Sequence, residues 1–103
     1  MITYRQGNDL DIDAVIELYV ASTLGKRRPA DDRDRMAEMI KNANLVITAW
    51  EGELMVGIAR SISDFSYVTY LSDLAVSSYR DLNVWQKAMD LVVASFELEV
   101  HNR

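Results

Sequence analysis

The chain has 103 residues, half of them hydrophobic and about a quarter charged, which suits one soluble globular domain with a core of its own. It contains no cysteine and one histidine, His101, which excludes a disulfide framework, thiolate chemistry, thiolate-bound zinc and a histidine-rich metal site. A net charge of −5 argues against a nucleic-acid partner, no apolar run reaches the roughly 18 residues of a membrane span, and Met1 to Arg5 lacks the order of a signal peptide, so a cytoplasmic location without membrane attachment is expected.

Ile2-Thr3-Tyr4-Arg5 alternates and is rich in β-formers, so it reads as a strand. Gly7-Asn8-Asp9 is turn chemistry, and Asp9 or Asp11 can cap the helix that follows. Ile12, Val15, Ile16 and Tyr19 recur at helical spacing up to about Ser22, with Gly25 expected to end that helix and Pro29 to keep the next stretch open. The basic run Lys26-Arg27-Arg28 is answered at once by Asp31, Asp32 and Asp34, and reads as a solvated loop in preference to an anion site. Asp31 and Asp32 open a second helix with an apolar stripe of Met36, Met39, Ile40 and Ala43, closed by Asn42 and Asn44.

Leu45 to Trp50 is a dense apolar run that predicts a buried strand. Glu51-Gly52-Glu53 is a tight turn, and Leu54 to Ile62 returns as the partner strand. Ser63-Asp64 turns the chain again, and Tyr67 to Val76 reads as a third long strand. Ser77-Ser78 breaks the pattern, with Ser78 and Asp81 placed as a helix cap. Leu82, Trp85, Met89, Val92 and Phe96 step by three and four, and Val84, Leu91 and Leu98 add a second apolar row, so a long C-terminal helix covered on two sides is predicted. Phe96 to His101 alternates as a strand would, but nothing separates it from the helix, and a continuing helix is the favoured reading.

Three phrases in this order resemble the front half of the GNAT acetyltransferases. They are Ile2 to Arg5 with Asp11 to Tyr19, the hairpin Leu45 to Gly57, and Tyr70-Leu71-Ser72-Asp73-Leu74-Ala75-Val76. The likeness covers about residues 2–76 and implies an α+β domain over 1–103. Its expected order is β-α-α-β-β-β-α, with a truncated mixed or antiparallel sheet and the stretch 77–103 as a replaced C-terminal helix. It also implies acyl-CoA-dependent N-acetyltransfer, with acetyl-CoA as cofactor and Leu74 and Val76 at the acetyl-contacting positions. Asp73 would then be a general base for an amine, or otherwise an exposed or capping carboxylate. Tyr67 and Tyr70 would line an acceptor pocket, or otherwise pack on the sheet.

In that family a glycine-rich loop follows the strand and lets bare amides approach a pyrophosphate. Here the chain reads Ser77-Ser78-Tyr79-Arg80-Asp81-Leu82, with no glycine after Gly57. Leu82, Val84 and Trp85 are bulky and Asp81 is repulsive, which leaves Arg80 to attract a phosphate. Impaired or absent activity is therefore expected. Tyr79 to Val93 is similar instead to the first helix of the four-helix-bundle proteins encoded in 23S ribosomal RNA intervening sequences, which makes a junction of two families near Val76. A long apolar strand at a sheet edge and a helix apolar on two sides both ask for a partner, so a homo-oligomer joined through Tyr67 to Val76 and the C-terminal helix is expected. A non-catalytic, self-associating fragment is the alternative to an enzyme.

Overall fold

The computed structural model describes residues 2–77 together with 86, 87, 90, 93 and 94. In chain order the elements are β1 (Ile2–Gln6), α1 (Ile12–Ala21), a 3-10 turn (Thr23–Lys26), α2 (Arg33–Asn42), β2 (Leu45–Glu51), β3 (Leu54–Ser63) and β4 (Thr69–Val76). The strands form one antiparallel sheet in the order β1-β2-β3-β4. The α+β fold expected from the sequence is the one observed.

Local chemistry explains each boundary. Asp11 caps α1 by accepting the Asp13 amide at 3.0 Å, and Asp32 caps α2 by accepting the Arg35 amide at 3.1 Å. Gly7 takes a φ of +138°, and Asn8 then donates to the carbonyls of Lys41 and Ala43 at 3.0 Å each, which ties the first turn to the end of α2. At the β2–β3 turn Gly52 adopts a φ of +61°, a conformation only glycine takes freely.

Both helices pack on one face of the sheet. Val15, Leu18 and Tyr19 of α1 and Met36 and Ile40 of α2 meet Val46, Met55, Ile58 and Ala75. Val15, Met36, Ile40 and Ile58 are 0–1% exposed, and burying each contributes about 1.5–3 kcal/mol. The alternate residues of the strands point to the other face. There Leu45, Ile47 and Ala59 pack with Phe65, Leu71 and Leu74, and Ala49 and Val56 pack with Ile2, Tyr4 and Val76.

Three sequence expectations need correction. Gly25 does not end α1. The helix stops at Ala21, Ser22 is its C-cap, and Gly25 lies inside the 3-10 turn. A Cβ at Gly25 would stand 2.8 Å from the Tyr19 carbonyl oxygen and 2.9 Å from the Val20 Cα, so the glycine is there for close approach. The third strand starts at Thr69, not Tyr67. The Asp64 Oδ1 accepts the amides of Ser66, Tyr67 and Val68 at 2.9–3.0 Å, which folds those residues into a turn instead of the sheet ladder. Tyr67 and Tyr70 do not pack on the sheet; they are 89% and 66% exposed. The five described residues beyond Ser77 are helical, with the Gln86 amide donating to Asp90 at 3.0 Å. The remainder of the anticipated C-terminal helix, including the Ser78–Asp81 cap, Trp85, Met89 and the stretch 96–101, lies outside the described residues.

Candidate functional site: the two sides of strand β4

Strand β4 carries a bulge. Arg60 pairs with Asp73 and Ser61 with Leu71, so Ser72 is an extra residue without a register partner. The bulge changes which backbone groups face β3 and re-aims the side chains around it.

On the helix face, the Asp73 carboxylate is 1% exposed and sits at the centre of a polar cluster. Its Oδ2 accepts the Tyr19 hydroxyl at 2.7 Å and the Arg60 Nε at 2.6 Å. Its Oδ1 accepts the Arg28 Nε at 2.6 Å. The guanidinium groups also grip the bulge, with Arg60 Nη2 donating to the Ser72 hydroxyl at 2.8 Å and Arg28 Nη2 to the Ser72 carbonyl at 3.2 Å. Burial alone would push the Asp73 carboxyl up, but hydrogen bonds from Arg60, Tyr19 and Arg28 outweigh it and hold the group below the usual carboxylate range. Burial and the neighbouring Asp73 carboxylate push the Tyr19 phenol well above its ordinary value, so it stays a neutral donor. The Arg60 guanidinium loses some stabilisation through burial, yet its bond to Asp73 raises it on balance.

This arrangement revises two readings of the sequence. Asp73 is neither exposed nor a cap. Lys26 and Arg27 are exposed as expected of a solvated loop, but Arg28 turns inward, its side chain 27% exposed, and joins the cluster. Sequence reasoning did not bring Tyr19, Arg28 and Arg60 together with Asp73, because they stand 54, 45 and 13 positions from it. A signal was present nonetheless: Arg60 and Asp73 are the lone charges of their strands and opposite in sign, and buried charges are almost always paired.

The opposite arrangement holds at the strand's outer edge. The Ser77 amide donates to the Val56 carbonyl at 2.9 Å. An antiparallel ladder alternates, so Ala75 and Asp73 also turn their backbone groups toward β3. The amides and carbonyls of Leu74 and Val76 therefore point away from β3. Among the described residues no strand pairs with that edge. The side chains of Leu74 and Val76 are half-buried on the face opposite the helices. Arg80, the third candidate contact for a cofactor, lies outside the described residues. Among the described residues there is also no group of acidic or histidine side chains able to hold a metal, and no helix long and apolar enough to cross a membrane.

No protein-family profile and no curated protein matches the sequence. Solved structures do match the fold. A GNAT-family acetyltransferase from Streptococcus pneumoniae TIGR4 superposes with a TM-score of 0.76 at 21% identity, over 94% of this chain and 69% of that one. A protein from methicillin-resistant Staphylococcus aureus, described as a probable acetyltransferase, gives 0.77 at 17% identity over 94% and 70%. AAC(6')-Iy, solved with the bisubstrate analogue CoA-S-monomethyl-acetylneamine, gives 0.62 at 17% identity over 99% and 73%. The chain is similar to these proteins in fold, and its α+β architecture is GNAT-like.

Proposed function

We propose that this chain is an acyl-CoA N-acetyltransferase scaffold by ancestry, which keeps the backbone edge that holds an acyl thioester and transfers acetyl groups poorly or not at all. The observation that carries this reading is the outward orientation of the Leu74 and Val76 amides on a GNAT-like sheet. Those positions suit hydrogen bonds to a thioester carbonyl and a pantetheine amide. The lack of any glycine after Gly57 works against a pyrophosphate cradle, and Arg80 is the residue of that stretch whose charge could attract a phosphate. The likeness of Tyr79 to Val93 to an intervening-sequence helix supports a junction near Val76 as the source of that loss.

Asp73 is ill-suited to act as the base. Both of its oxygens already accept charge-assisted hydrogen bonds, and a base working near neutral pH needs a raised proton affinity, whereas this one is lowered. Its role in this reading is to fix the bulge, and through it the orientation of Leu74.

Calorimetric titration with acetyl-CoA and with S-acetylpantetheine tests the proposal. Similar millimolar affinities for both are expected. Micromolar binding of acetyl-CoA that vanishes without the nucleotide end would mean that the loop still holds pyrophosphate.

A second reading, a self-associating fragment, is favoured by one separate observation. Ile62, Tyr67, Val68 and Tyr70 are 48%, 89%, 56% and 66% exposed near the start of β4. Exposed apolar residues beside a strand edge invite pairing between chains. Light scattering at high micromolar concentration should show a dimer in this reading, and a monomer there rejects it.

A further inference from the structure

A cavity of about 390 Å³ lies between α1, the β2–β3 hairpin and the end of β4. That volume falls in the range of small-molecule sites, roughly 300–1,000 Å³. Leu18 and Met55, both buried, and half-buried Trp50 give it an apolar floor, and Leu54, 64% exposed, forms a wall. Alanines on either side of Leu18 along α1 keep the space open.

The charge is one-sided. Glu17 and Glu53 line the cavity, and among the described residues no lysine or arginine does and neither carboxylate forms an ion pair. Arg5 sits 4.2 Å from the centre of the Trp50 ring, but it lines the neighbouring cavity of about 230 Å³.

We infer that this cleft binds a cationic amine with a short apolar body, its ammonium group between Glu17 and Glu53 and its hydrocarbon against Leu18, Trp50, Leu54 and Met55. An anion would meet two carboxylates and, among the described residues, no counter-charge. A neutral apolar ligand would use the apolar floor alone and gain nothing from the two carboxylates, which are exposed to water. The site is separate from the β4 edge, so it does not depend on the acetyltransferase reading.

The test uses the isotope-labelled full chain, titrated with hexylammonium, hexanoate and hexanol in turn and followed by amide NMR. The Trp50 indole N–H, which donates to the Thr48 hydroxyl at 2.8 Å, is a reporter on a ring that lines the cleft. Hexylammonium should move that signal and the amides of Leu18 and Leu54, and hexanoate should leave them in place. Glu17→Gln and Glu53→Gln should each weaken binding about two- to fivefold, as befits exposed ion pairs. Leu54→Ala should weaken hexylammonium binding more than ethylammonium binding. All three positions border solvent or are exposed, and an unchanged spectrum of each free variant verifies the fold. Equal shifts with hexanoate, a still Trp50 signal with hexylammonium, or unweakened binding to the double glutamine variant would each overturn the inference. Because no coenzyme A is used, its failure and a failure of the acetyltransferase reading give different results.

Discussion

Ser72 separates two halves of β4 that meet their surroundings in opposite ways. C-terminal to it, Asp73 and Ala75 are each 1% exposed, and the Asp73 carboxylate holds α1, the loop before α2 and β3 together through Tyr19, Arg28 and Arg60. N-terminal to it, Tyr70 is 66% exposed although it pairs in register with Ile62. One bulge thus divides a segment whose helix-face side chains are sealed, with both Asp73 oxygens accepting hydrogen bonds, from a segment that shows apolar side chains to solvent. The lesson is that a strand's sequence pattern alone does not say which half is covered; the elements that cross over it do.

The largest expected break in this contrast comes from Asp73→Ala. It leaves the Arg60 and Arg28 charges facing a gap, and breaking a buried ion pair costs about 3–5 kcal/mol. Chemical denaturation should register that loss, and Arg28→Ala should cost less because its side chain is 27% exposed against 0% for Asp73. Next in size is Tyr19→Phe, which removes one hydrogen bond to a carboxylate and should cost about 1.5–3 kcal/mol by the same measurement.

The sealed half also sets a pH dependence. The folded-state affinity of Asp73 for a proton is lowered, so its stabilisation is present above the unfolded carboxylate value of about 3.9 and is lost as pH falls below it. Tyr19 works at the other end. Its folded value is raised, so its contribution is intact below the unfolded value of about 10 and declines as pH rises beyond it. Thermal melts across pH should show both declines in the wild type, and Tyr19→Phe should remove the alkaline one.

The smallest expected effect falls on the open half. Tyr70→Lys should change monomer stability by less than about 0.5 kcal/mol, as is usual for surface substitutions. If the apolar patch joins two chains, the same change should shift light scattering toward monomer, which separates the two halves of β4 by the kind of damage each suffers.

Much of this fold was legible because the signals were local. The caps at Asp11 and Asp32, the hairpin about Gly52 and the apolar stripes of α1 and α2 each lie within a few residues of what they specify. The Asp73 cluster was not legible, because its members come from α1, a loop and two strands. The reading of Tyr67 as strand failed because the Asp64 side chain competes with the ladder for three backbone donors, which residue type alone does not reveal. Leu74 and Val76 are singled out by resemblance alone, and it is the hydrogen-bond alternation set by Ser77 that turns their backbone groups outward.

The most direct measurement follows the Leu74 and Val76 amide signals during titration with acetyl-CoA and, separately, S-acetylpantetheine. Both signals should move with both ligands, to similar extents at millimolar concentration, while the amide of Asp73 stays near its place. Unmoved Leu74 and Val76 amides with either ligand would contradict a retained acyl-binding edge.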